Sequence, residues 1–159
     1  VEERTMREKI SFPYIPTFLS FREGPLVISL TRSLNLEPDV LMVNSQGIAH
    51  PVFCGCASHV GVSVNKPTIG VAGSRLFGTF EGRVEKVGEW VPLKHQEQIV
   101  GAALLSKMRC KPIFISVGHM IALETAIETV KHFLADHKFP EPMRLAHELA
   151  NRVKEKEKR

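Results

Sequence analysis

Cysteine is scarce in this chain: three among 159 residues, Cys54, Cys56 and Cys110. Three thiols cannot make the disulfide framework of a small secreted domain, and Cys54 and Cys56 stand too close for an easy bridge, so a reducing compartment is expected. Long apolar runs are lacking as well. Nothing approaches the length that spans a bilayer, and Val1-Glu2-Glu3-Arg4 opens without the basic-then-apolar order of a secretion signal and without a starting methionine. The expectation is a soluble, cytoplasmic protein, or a fragment of one, with no membrane partner. Internal repeats are absent, and low complexity is confined to Lys154-Glu155-Lys156-Glu157-Lys158-Arg159, which reads as a solvated helix end.

Neither sign of charge dominates. With 21 Lys and Arg against 17 Asp and Glu, the formal charge is +4 and the pI near 9.1. Such a balance permits a polyanionic partner without demanding one, because much of the excess could sit in the tail. With 43% hydrophobic residues the chain can bury a real core and is too short for two comfortable domains, so one domain over 1–153 and a charged tail over 154–159 are expected. His50, Cys54, Cys56 and His59 invite a zinc reading. The C-x-C spacing is not the usual finger pattern, and a glycine-flanked helix start explains the small residues equally well.

What is present is an alternation of apolar runs with polar, glycine-containing loops. The run Asp39-Val40-Leu41-Met42-Val43 predicts a strand that stops abruptly in Asn44-Ser45-Gln46-Gly47-Ile48-Ala49-His50-Pro51, a lip where open α/β sheets hold ligands. A helix over Cys56 to Val64 and a strand over Pro67 to Ala72 follow, the pattern of a parallel crossover. Upstream, Thr5 to Phe12 is predicted as a strand, Pro13 to Pro16 as a loop, and a helix from Thr17 with a break or kink at Gly24-Pro25. Downstream, Phe80 to Val91 alternates like exposed antiparallel strands. Ile99 to Leu105 and Ile113 to Val117 read as buried strands, and Ile121 to Leu134 and Glu141 to Lys156 as helices, with Pro142 suited to a first turn.

Around the Asn44 to Pro51 lip seven blocks occur in a characteristic order: Pro13-Tyr14-Ile15-Pro16; Phe21-Arg22-Glu23-Gly24; Ala57-Ser58-His59; Lys66 to Ala72; Ser74-Arg75-Leu76-Phe77-Gly78; Ser116-Val117-Gly118-His119; and Pro140 to His147. Together they resemble endonuclease V over about Ser11 to His147. The resemblance implies an α/β, ribonuclease H-like mixed sheet flanked by helices. It also implies hydrolysis of the second phosphodiester 3′ to inosine in RNA or deoxyinosine in DNA, with a divalent metal, magnesium or manganese, held by clustered carboxylates. That family opens with a long central strand carrying an aspartate in a Val-Asp-Val-Ser-like segment, which nothing in this chain matches. A sheet without it is expected to pair with a second copy as a homodimer or to tolerate an open edge.

By the same resemblance Glu23 falls at a metal-binding acid, and Asn44 at the second metal-binding aspartate of an Asp-Gly-x-Gly-x-x-His-Pro motif. An amide lends an oxygen without negative charge, so metal is expected to bind weakly. Ser45 replaces a glycine of the base pocket, to which the resemblance also assigns Leu19, Gly47, His50, Gly55 and Leu76. Pro13, Tyr14, Ile15 and Pro16 match a rigid wedge that takes the place of an extruded base. Gly73 stands where the family has a phosphate-contacting lysine, with Arg75 nearby, and Val52 where an arginine is common. His147 matches a histidine near the metals, as ligand or proton carrier, while His119 is either pocket-side or an ordinary polar residue leading a helix.

The losses favour an endonuclease V-like nucleic-acid-binding protein whose catalysis is impaired as this chain stands, its partner DNA or RNA containing deaminated adenine. Two other readings stay open: an active nuclease whose first aspartate lies in an upstream segment, and a scaffold without a nucleic-acid ligand.

Overall fold

In the computed structural model, which describes residues 1–156, the run Asp39 to Val43 closes into β1 (Leu41–Val43), and the chain crosses through α2 (Cys56–Val64) to β2 (Thr68–Ala72). The two strands are parallel, Leu41 opposite Thr68 and Val43 opposite Gly70. A parallel pair needs a long crossover, and the helix supplies it. Ahead of them lies α1 (Leu19–Arg32); behind them β3 (Trp90–His95), β4 (Gln98–Leu104), β5 (Ile113–His119), α3 (Leu123–His132) and α4 (Glu141–Lys156). The sheet order is β1-β2-β5-β4-β3, and every pair beyond β1 and β2 is antiparallel. The sheet is therefore mixed, with β1 at one edge.

Alternation along β5 divides the core. Ile113 and Ile115 face Ile69, Val71 and Leu104 together with Ala126, Ile127 and Val130 of α3 and Met143 of α4. Phe114 faces the other way, toward Ala49, Leu93, Val100 and Ala103, with Phe77 and Phe80 at the margin. Each of the large aliphatic side chains buried here is worth about 1.5–3 kcal/mol. A third cluster packs α2 through Ala57 and Val60 against Val43 and, from α1, Val27 and Ile28.

Three local expectations change. Thr5 to Phe12 is not a strand: the segment is largely exposed and pairs with no other, because its few apolar residues cannot cover a sheet face. Arg22 donates to the Phe12 carbonyl at its end at 3.0 Å, and ahead of it the Glu2 carboxylate accepts the N–H groups of Asn35 and Leu36. The helix from Leu19 does not end at Gly24-Pro25 but runs through Pro25. Gly24 lets α1 close on α2, where a Cβ would sit 3.3 Å from His59 Nδ1, and that packing offsets a proline cost of about 3 kcal/mol. Of Phe80 to Val91 only Trp90 and Val91 pair, as the start of antiparallel β3; Phe80 to Glu89 forms bends and turns, and Thr79 just ahead of it makes a single bridge to Lys94. Gly82 and Gly88 take φ of 93° and 89°, and the Glu89 carboxylate accepts the N–H groups of Glu85 and Lys86, which curls the segment on itself.

The last charged residues divide. Positions 154–156 are helical, continuing α4, and 157–159 lie outside the described residues. All three cysteines are free thiols, and among the described residues no helix is long and apolar enough to cross a membrane.

Candidate nucleic-acid site

Beyond Val43 the chain leaves the sheet and folds back along its own end. Gly47 donates its N–H to Ser116 Oγ at 2.8 Å, and Ile48 to the Val117 carbonyl at 2.8 Å, which ties the loop to β5. Only glycine fits at 47, since a Cβ there would lie 2.0 Å from the Val117 oxygen. Buried Gln46 reaches over to the Ser74 carbonyl at 3.0 Å, so the loops after β1 and β2 form one rim.

His50 is buried and both its ring nitrogens are engaged. Nδ1 accepts the Val52 N–H at 3.4 Å, and Nε2 faces the Thr17 carbonyl at 2.9 Å. A carbonyl only accepts, so the proton resides on Nε2. The ring thus fastens the Pro13 to Pro16 loop, through Thr17 at φ 70°, to the β1 loop. Tyr14 remains 71% exposed between the two prolines, a side chain held out from the surface.

These segments enclose a cleft of about 330 Å³. Tyr14, Ile15, Leu19, Ser45, His50, Gly55 and Leu76 all line it, as do Gly73 and Arg75. Pro13 and Pro16 only flank it, and Gly47 serves behind it, against β5. Cys56, Thr17, Ser20 and Ser74 also line the cleft, and nothing in their residue types distinguishes them from ordinary packing positions.

A second cleft of about 720 Å³ opens along the free edge of β1, between Met42 on one side and Phe139, Met143 and His147 on the other. Asn44 lines both clefts and marks their junction. Lys138, also on the second cleft, donates to the Gly73 carbonyl at 3.1 Å. Its ammonium therefore lies beside the position where a side chain is missing; sequence reasoning passed over it because 65 residues separate the two. Arg144, on the same wall, is engaged by Glu141 and Glu148.

Glu23 lines neither cleft. Its effect is felt at Cys56, whose thiol is pushed up to about 11, first by burial and then by the Glu23 charge, and lowered in part by a hydrogen bond with Ser45. A thiol so held stays protonated at neutral pH. Among the described residues no group of three His, Cys, Asp or Glu side chains converges as a metal site, at His50, Cys54, Cys56 and His59 or elsewhere. The oxygen donors assigned to a divalent cation are one carboxylate, Glu23, and one amide, Asn44, a set whose donor types suit a hard dication but carry too little charge to hold it tightly. His119 ends β5 opposite Thr68 and presses its Cβ toward Gly61 of α2; it leads no helix and lines no cleft described here.

The mixed sheet, with helices on both faces and a polar lip beyond β1, is of the ribonuclease H-like class. The sequence profile of endonuclease V matches residues 1–148. The endonuclease V of Roseiflexus castenholzii is 45% identical over 145 residues, covering 91% of this chain and 65% of its own length. That of Trichormus variabilis is 44% identical over 151 residues, covering 95% and 68%. Among solved structures, endonuclease V from Streptomyces avermitilis superposes with a TM-score of 0.86 at 34% identity, covering 95% of this chain and 66% of that one. Ciona intestinalis endonuclease V, in complex with a 24mer DNA containing an inosine followed by a ribo-adenosine, gives 0.81 at 30% identity, covering 98% and 73%. This chain belongs to the endonuclease V family. It spans just under two thirds of the length of the Roseiflexus relative.

Proposed function

We propose that this chain binds DNA or RNA containing deaminated adenine, as a cytoplasmic single domain over 1–153, and that its power to cleave the strand is weakened at Asn44. The observation that carries the reading is the 330 Å³ cleft, onto which residues 14–20, 44–56 and 72–76 bring the wedge and the pocket residues together. A volume of that size suits one flat base. Extruding a base costs a few kcal/mol of stacking, and a rigid exposed Tyr14 beside the cleft fills the gap without ordering a flexible loop.

Arg75 and Lys138 are the cations placed to hold backbone phosphates, Lys138 serving where Gly73 offers no side chain. His147 is the proposed proton carrier on the opposite wall. When bound, a divalent ion would supply charge relief at the phosphate. With only Glu23 and Asn44 assigned to it, magnesium or manganese is held weakly, and cleavage is slow.

A second copy is the proposed cover for the open edge of β1. Leu41 donates to the Pro67 carbonyl at 2.9 Å, so by strand alternation Met42 turns its N–H and C=O away from β2. Sedimentation equilibrium tests the homodimer, and a monomer at all concentrations would remove it.

The test of function uses an end-labelled single strand bearing one inosine, in DNA and RNA versions, with magnesium or manganese and with Glu23→Gln as control. The expected result is binding that prefers inosine over adenine, with slow cutting that Glu23→Gln abolishes. Equal, weak binding of both strands would sink the proposal.

A further inference from the structure

Phe53, Phe77 and His95 form an aromatic cluster that the base cleft does not use. The rings of Phe77 and His95 lie 4.3 Å apart, tilted by 36°, and Phe53 meets them edgewise at 5.8 and 6.2 Å. Phe53 belongs to the loop after His50, its N–H donating to the His50 carbonyl at 2.8 Å, whereas His95 closes β3 at a tight turn in which Gln96 has φ 54°. Phe53 remains 42% exposed, and an apolar ring left in water at this level forgoes part of the stabilisation that burial gives.

Beside the cluster a further cleft of about 490 Å³ runs from Arg75 to Thr79 and across to the Lys94 to Gln96 turn. Arg75 and Leu76 line both this cleft and the base cleft, so the two adjoin across these residues. The charge on its walls has one sign: Arg75 and Lys94 are exposed cations, and no carboxylate lines it. Arg75 donates one N–H to the Gly78 carbonyl at 3.0 Å, which orients the guanidinium and leaves further donors for an anion.

Aromatic faces next to cations, here adjoining a base-sized pocket, are the means by which proteins track a single strand: every base has a π-face to stack, and every linkage a phosphate to neutralise. We propose that this cleft is a second nucleotide subsite. It takes the base adjoining the extruded one, stacked at Phe77 and His95, with the phosphate between the two nucleotides held by Arg75 and Lys94. The proposal rests on the nucleic-acid reading above and deepens it.

The test is fluorescence anisotropy on the full chain with short inosine strands in which one flanking base at a time is replaced by an abasic unit, in buffer with EDTA. One flanking position should lose about fivefold or more in affinity when its base is removed. In His95→Ala, and in Phe77→Leu with its fold checked by circular dichroism, the same replacement should cost less than about twofold. Lys94→Gln, an exposed change that leaves the core untouched, should reduce the salt dependence of binding by about one counterion. Inosine preference with no sensitive flanking position, or with a sensitivity the variants leave intact, would overturn the subsite while the base cleft stands. A peptide or small-molecule role for the cleft would give that outcome. Loss of inosine preference in the unsubstituted protein would overturn both.

Discussion

The Lys138 ammonium is hydrogen-bonded to the Gly73 carbonyl at 3.1 Å, and a Cβ added to Gly73 would meet the tip of the Phe139 ring at 2.9 Å. One residue lacks a cation and another, 65 positions later, brings one to the same place. Lys138→Ala is therefore expected to weaken strand binding by about three- to tenfold and to reduce its salt dependence by about one counterion. Anisotropy titrations over a range of salt measure both, and an unchanged slope would remove Lys138 from the phosphate path.

Asn44→Asp adds a carboxylate at the junction of the two clefts. A carboxylate and a dication about 4 Å apart at an effective dielectric near 20 attract by about 8 kcal/mol, twice the value for two unit charges. After desolvation, a gain of roughly tenfold or more in magnesium or manganese affinity is expected, with a faster cut of the inosine strand. Isothermal titration calorimetry reads the affinity directly. No gain would show that Asn44 does not face the cation.

Alkaline pH should loosen the protein through Cys56. The thiol loses its proton near 9.0 when unfolded and at about 11 when folded, so between these values the folded state binds more protons than the unfolded one. Its contribution is complete below pH 9 and disappears as pH rises through 11, on the order of 2–3 kcal/mol. Denaturant titrations of the metal-free protein from pH 8 to 11 should show a steeper decline than those of Cys56→Ala. Parallel curves would contradict the assigned cause.

Gly47→Ala tests the rim. Its methyl would collide with the Val117 oxygen, a backbone atom that cannot rotate aside, and a loss of about 1–3 kcal/mol or more is expected together with weaker inosine binding. Thermal unfolding followed by circular dichroism gives the first, and a wild-type melting temperature would mean that the loop lies elsewhere.

Much of this arrangement is readable where the signal is local. The helix from Cys56 to Val64 has its predicted ends because Gly55 precedes it and Asn65, at φ 53°, caps it. The lip after Val43 follows from an apolar run meeting small polar residues. Pairing is less legible, since antiparallel partners such as Gly70 and Ser116 are chosen by packing across many residues. Thr5 to Phe12 and Glu81 to Glu89 carry strand-like residues without a face to bury, and carboxylates at Glu2, ahead of the first segment, and at Glu89 hold the chain instead. In the proposed site, the ordered blocks supply most of the residues that line the 330 Å³ cleft, while Lys138 could be found only in three dimensions. Glu23 shows the converse: a block assigns it to the chemistry, yet its neighbour is the Cys56 thiol.

The His50 ring, anchored at Val52 and at Thr17, makes the protruding tyrosine loop and the floor of the cleft a single rigid body. The conformational toll of assembling them is met during folding rather than at each encounter with a strand. On the proposed reading, capture is then timed by how readily the nucleic acid opens: mismatched or unpaired inosine should associate faster than the same base within a stable duplex, although the protein presents an identical surface to each.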